Sequence, residues 1–174
     1  MSDGTRGTPR KSSTPTLAIH QDIHASPSTI WAILEGVRLL PTLSPSTTAA
    51  VGPPALQQVG DRFDQTVKLG GRHFTSSWSV TGFEFERCLR VEGSVLPGTQ
   101  HAITETITSE SPTTATLTMS IDYTLPLGLL GRLAAKLGAE RRALDEATQV
   151  VASIRETAER SPAANRTKQS KRST

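Results

Sequence analysis

The sequence predicts an α+β fold, in which an antiparallel sheet packs against one long helix near the C-terminal end. Residues Thr114 to Thr124 alternate strictly, with Leu117, Met119, Ile121 and Tyr123 against Thr116, Thr118, Ser120 and Asp122. That pattern belongs to an antiparallel strand with one buried and one solvated face. From about Leu127 to Glu159, Leu130, Leu133, Leu137, Leu144, Ala147, Val151, Ile154 and Ala158 recur at three- and four-residue steps. Such a stripe is the core-facing side of a helix. Between these two signals and the N-terminus, turn residues punctuate the chain at short intervals, as successive strands require.

The elements follow in order. Leu17 to His24 alternates, with Leu17, Ile19 and Ile23 on one face, and reads as a strand. Ser26-Pro27 supplies an N-cap with proline at the first helical position, ahead of Ile30, Trp31, Ile33 and Leu34. Gly36 stops that helix, and a second short helical turn around Val37 to Leu40 is expected to end near Pro41 and Pro45. Gly60 to Leu69 puts Phe63, Gln65, Val67 and Leu69 on one face, and Gly70-Gly71 turns the chain. Arg72 to Phe83 does the same with Phe74, Ser76, Trp78 and Val80, and Arg87 to Leu96 with Leu89, Val91, Gly93 and Val95. After the Pro97-Gly98 turn, His101 to Thr108 sets His101, Ile103, Glu105 and Ile107 against Ala102, Thr104 and Thr106.

Composition narrows the function. The chain has 174 residues with 35% hydrophobic and 20% charged residues, the size of one domain with enough apolar content for one core. No apolar run reaches the roughly 18 residues of a spanning helix. The most apolar stretch, Leu125 to Leu137, is broken by Arg132 and Lys136. The first fifteen residues lack the apolar segment of a secretory signal, so the expected location is cytoplasmic. The single cysteine, Cys88, excludes a disulfide framework and reads as a small buried hydrophobe. The pI near 9.4 arises at the ends. Residues 160–174 carry Arg160, Arg166, Lys168, Lys171 and Arg172 with no acid, and residues 1–15 carry Arg6, Arg10 and Lys11 against Asp3. The remainder, 16–159, is net acidic. Neither tail has an aromatic to stack a base, so no specific nucleic-acid partner is expected. Both tails are poor in large apolar residues and are expected to be disordered, leaving 16–159 as the folded domain.

Four stretches carry a family resemblance: Ile23-His24-Ala25-Ser26-Pro27-Ser28-Thr29-Ile30-Trp31; Val59-Gly60-Asp61-Arg62-Phe63 leading to Gly70-Gly71; Trp78-Ser79-Val80-Thr81-Gly82-Phe83; and Leu125-Pro126-Leu127-Gly128-Leu129-Leu130-Gly131-Arg132-Leu133. In this order and spacing the chain resembles the START-like SRPBCC superfamily, within it the polyketide cyclase/dehydrase and lipid-transport group, over about residues 17–159. One departure is that Leu39-Leu40-Pro41-Thr42-Leu43 lacks the tryptophan commonly found there. The resemblance implies a helix-grip fold, a curved antiparallel sheet wrapped around the C-terminal helix with a cavity between them. It also implies a hydrophobic small molecule, lipid or polyketide-like, as the partner. Fold alone does not assign chemistry, so the cavity wall must be read residue by residue.

No G-x-S-x-G elbow, phosphate-binding G-x-x-x-x-G-K or H-E-x-x-H is present. His20 and His24 have an i, i+4 spacing, but on a strand that spans about 13 Å and cannot serve one metal. They read as solvated side chains, and no metal or other cofactor is expected. By alternation the inward face carries Gln21, Gln65, Ser76, Trp78, His101, Glu105 and Tyr123 among apolar neighbours, the mix a small-molecule site requires. The expected ligand-binding set is Gln65, Ser76, Trp78, Val91, Gly93, His101, Ile103, Glu105, Met119, Tyr123 and Leu133. His101, Glu105 and Tyr123 are the only candidates for acid–base work. Against this, Glu105 can reach solvent at a cavity mouth, or a bulge can turn it outward. Two readings result. One is a non-catalytic binder or carrier of a hydrophobic molecule, monomeric or weakly dimeric. The other is a cofactor-independent polyketide cyclase or dehydratase working by proton transfer.

Overall fold

The computed structural model describes residues 16–94, 100–124 and 137–161, and among these seven antiparallel strands form one sheet: β1 (Thr16–Ile23), β2 (Thr47–Val51), β3 (Arg62–Leu69), β4 (Arg72–Glu84), β5 (Cys88–Gly93), β6 (Gln100–Ser111) and β7 (Thr114–Thr124). Their order across the sheet is β1-β7-β6-β5-β4-β3-β2. Helix α1 (Pro27–Leu34), a 3-10 turn (Val37–Leu39) and helix α2 (Leu40–Leu43) follow β1, and helix α3 (Leu137–Arg160) is the last described element. The expected tails fall outside the described residues, apart from Arg160 and Ser161. Helix α3 takes in Arg160, whose guanidinium donates to the Glu156 carbonyl at 3.1 Å.

Local chemistry accounts for most boundaries. The Ser26 side chain accepts from the Thr29 N–H at 3.2 Å, and Pro27 stands at the start of α1. Gly70 and Gly71 have φ of +55° and +80°, the left-handed pair that a two-residue hairpin needs between β3 and β4. The side chains of Ile23, Ile30, Trp31, Val37, Val80, Leu117, Val151 and Ile154 are the largest fully buried ones. They join β1, α1, the sheet centre and α3 in one core.

Several expectations change. The second helical segment ends at Leu43, before Pro45 as expected, but Pro41 occupies its first turn, where its missing N–H is no loss. Strand β2 was not expected, because Thr47-Thr48-Ala49-Ala50-Val51 has no apolar alternation. It is an edge strand paired only with β3, and its register shifts between Thr47 and Ala49. A shift between Val80 and Gly82 in β4 returns Phe83 to the inner side, where it meets Trp31 edge-on at 5.2 Å. Cys88 is only half-buried, since it opposes Thr106 on the outer face while Leu89 points in. Ala102 is buried although it faces outward. Arg90 bridges Glu92 and Asp122, the two residues flanking Ala102 in register, and covers the small side chain. On α3, Ala147, Val151, Ile154 and Ala158 are buried as the stripe predicts, but Leu144 is 39% exposed. The part of the stripe before Leu137, including Leu133, lies outside the described residues.

Candidate functional site

The inner face of the sheet is the surface the expected site requires, and its registers can be read rung by rung. One rung runs Phe63, Trp78, Gly93, His101, Tyr123 across β3, β4, β5, β6 and β7. The next runs Val80, Val91, Ile103, Ile121, and beyond it Leu89, Glu105, Met119. Registers on both sides of Glu105 are unbroken, and the shift in β6 comes only at Ser109 to Ser111. No bulge turns Glu105 outward.

The first rung is aromatic. Phe63 and Trp78 stack 6.3 Å apart with planes within 8°. The Trp78 ring lies on the backbone of Gly93: a β-carbon at position 93 would fall 2.6 Å from Trp78 Cδ2 and 2.8 Å from the Ser77 carbonyl oxygen. Glycine is what admits the indole here. Across the gap, the His101 and Tyr123 rings stand 6.5 Å apart. Ser76 and Trp78 are themselves packed into the core, where the indole Nε1 donates to Ser76 Oγ at 2.9 Å. Val91 and Met119 are buried as well, whereas Gln65, Gly93, His101, Ile103, Glu105 and Tyr123 keep some accessible surface.

Two ionisable groups on β6 respond to this setting. Burial lowers the His101 pKa below the usual histidine value, so the ring is neutral at physiological pH. Burial pushes the Glu105 carboxyl up from about 4.5 to about 7. Its cross-strand neighbours Leu89 and Met119 offer no donor to hold the ionised form. His101 and Glu105 are four strand residues apart, about 13 Å, and do not act on one atom together. His20 is exposed and shares a 3.0 Å hydrogen bond with Thr118 Oγ1, while His24 donates its backbone N–H to Glu159 at 3.1 Å. Gln21 points in from β1 but spends its amide on the Asp22 carbonyl at 2.9 Å.

One feature escaped the sequence reading. The Gln65 amide donates to Thr47 Oγ1 at 2.6 Å, Thr47 donates to Ser44 Oγ at 2.8 Å, and Ser44 donates to Glu146 Oε1 at 2.7 Å. The Ser46 N–H reaches the same carboxylate oxygen at 3.1 Å. This chain of donors ties β3, through β2 and the loop after α2, to α3, and fixes the helix over the sheet. Its members are scattered through the sequence, and the only hint was Glu146 lying off the apolar stripe. A separate cleft of about 750 Å³ opens beside the β4–β5 turn, lined in part by Pro27, Phe85, Arg87, Cys88, Thr106 and Ser109. Phe85, Arg87 and Ser109 are exposed, and the wall also carries Glu84, Glu86, Ile107 and Thr108, so this cleft is polar and charged.

No family model matches the chain, and no curated protein matches it by sequence. Solved structures do match in shape. A START superfamily protein from Mycobacterium smegmatis superposes with a TM-score of 0.63 at 14% identity, covering 83% of this chain and 97% of the other. The fold is the START-like helix-grip fold. The di-domain aromatase/cyclase StfQ of the steffimycin biosynthetic pathway gives a TM-score of 0.66 at 13% identity over 83% of this chain and 51% of its own length. The Zhui aromatase/cyclase of a Streptomyces species gives 0.60 at 11% identity over 82% and 95%. At such identities the likeness concerns the fold. Among the described residues, no helix is long and apolar enough to cross a membrane.

Proposed function

We propose that the protein binds a hydrophobic small molecule, lipid or polyketide-like, between the concave face of the sheet and α3. The observation that carries this reading is the make-up of that face: apolar rungs interrupted by His101, Glu105 and Tyr123, each keeping some accessible surface. A small-molecule site needs such a wall, mostly apolar with a few oriented polar groups. Gln65, Gly93 and Ile103 complete the reachable lining, and Ser76, Trp78, Val91 and Met119 form the layer beneath. Leu133, which lies outside the described residues, belongs to the same proposal. The fold supports it, since the helix-grip architecture also serves the aromatase/cyclases that superpose on this chain.

A cofactor-independent cyclase or dehydratase is the second reading, favoured by one observation. A carboxyl pushed up to about 7 is poised to give and take a proton near neutrality. Its weakness is the spacing, because His101 stands about 13 Å along the strand and, among the described residues, Tyr123 is the one further inward acid–base candidate. Native mass spectrometry of the purified protein tests the binding reading directly. A co-purified apolar molecule, or a thermal shift with hydrophobic probes that follows mass action, supports it. A protein that carries nothing and answers to no apolar probe refutes it. Turnover of a β-polyketone abolished by Glu105→Gln would instead establish the enzyme.

A further inference from the structure

Glu105 is set in the least suitable rung of the sheet for a carboxylate. Leu89 and Met119 flank it across the strands and are buried, Ile103 and Ile107 flank it along β6, and no described side chain hydrogen-bonds to it. A polar group in such a wall is costly unless something satisfies it. Several polar residues on this side of the molecule hold one another: Gln65, Thr47, Ser44 and Glu146 in one chain, and Trp78 with Ser76. The buried Nε1 of Trp31 and Nε of Arg155 have no partner among the described residues, and neither does the Glu105 carboxyl.

Resting on the ligand-binding reading above, we propose that Glu105 sets ligand specificity as a hydrogen-bond donor. The ligand is then an uncharged amphipathic molecule that presents a carbonyl-type acceptor to this point of an apolar wall, and ionised carboxylates are rejected. A carboxyl donates only while protonated. Burial keeps it largely so below pH 7. A carboxylate ligand would set two negative charges together in a site that cannot solvate them. Among the described residues, the other titratable or charged groups bordering this face are few. Burial holds the His101 pKa below its usual value, and Tyr123 shares its rung; from α3 come Glu146, held by Ser44 and Ser46, and half-buried Arg155. The inward side chains of β1, β4, β5 and α1 include no titratable group.

The test is competition of a ten-carbon methyl ketone and the ten-carbon fatty acid against a fluorescent apolar probe on the full chain, at pH 6, 7 and 8. The ketone does not titrate, so any change with pH belongs to the protein. If only the protonated carboxyl binds, the ketone should weaken roughly tenfold from pH 6 to pH 8, in proportion to the competent fraction. At pH 7 it should bind at least about tenfold tighter than the fatty acid, which is then ionised. Glu105→Gln, whose amide still donates, should keep ketone binding and lose its pH dependence. Glu105→Leu should fold with an apolar rung and weaken the ketone about fivefold, the scale of one hydrogen bond. Equal or tighter binding of the fatty acid, or a pH dependence that survives in Glu105→Gln, overturns this proposal and leaves the binding reading standing. Failure of the probe and both ligands to bind the native protein at any pH overturns the binding reading and this proposal with it.

Discussion

Replacing Glu105 by glutamine should make the ligand-free protein more stable at alkaline pH and change little in acid. The carboxyl ordinarily ionises near 4.5, and the apolar rung of Leu89 and Met119 raises this to about 7 in the folded state. Between those values the folded chain keeps a proton that the unfolded chain has lost. The unfolded state therefore binds fewer protons, and stability falls as pH rises through this window, then levels above pH 7. Each unit corresponds to about 1.4 kcal/mol, so full ionisation costs at most about 3 kcal/mol. Comparing pH 5 with pH 8 should recover roughly 2–3 kcal/mol of this. Glutamine keeps the size and removes the charge. Urea unfolding of both proteins at the two pH values isolates the effect, because every other titrating group cancels in the difference. The gain of Glu105→Gln over the native chain should grow by roughly 2–3 kcal/mol from pH 5 to pH 8. In melting temperature this is about 5–10 °C for a domain of this size. Parallel stability curves, separated by a constant amount within about 0.5 kcal/mol, would refute the argument that burial in this rung perturbs the carboxyl.

Two further outcomes follow from the packing around the same face. Gly93→Ala should destabilise by about 1–3 kcal/mol, the usual cost of overpacking, because its β-carbon meets both the Trp78 ring and the immovable Ser77 carbonyl. Displacement of the indole should also shift the tryptophan emission, and an unchanged spectrum and melting point would show that the contact is not tight. Glu146→Ala removes the acceptor for Ser44 Oγ and the Ser46 N–H. It should cost about 1–3 kcal/mol in chemical denaturation, whereas Glu146→Gln, which retains a carbonyl acceptor, should recover much of it.

The candidate site was unevenly legible in the sequence. Alternation alone placed His101, Glu105, Ser76, Trp78 and Tyr123 on the inner face, because a strand has a period of two and the β5–β6–β7 registers run without interruption through Glu105. Alternation could not say which of these remain accessible. Ser76 and Trp78 face inward yet are packed away, a consequence of Phe63 stacking on the indole from the neighbouring strand. Nor could it find the Gln65–Thr47–Ser44–Glu146 chain, since Ser44 and Glu146 are about a hundred residues apart and their bond exists only once α3 lies over the loop after α2.

What the sequence determined by itself is local and periodic. The faces of β3 to β7, the Ser26 cap with Pro27, the Gly70-Gly71 hairpin and the buried stripe of α3 each depend on residues within a few positions of one another. Backbone sterics and hydrophobic periodicity act at that range, so these features can be read before any fold is known. The tertiary structure decided the strand order, the edge strand β2, the return of Phe83 to the inner side and the burial of Ala102 beneath Arg90. It also decided the chemistry of Glu105. In the sequence this residue is one glutamate between two threonines; in the sheet it is a carboxyl between Leu89 and Met119, and its affinity for a proton is set by those distant neighbours. Solvation is a property of the assembled surroundings, and only folding supplies them.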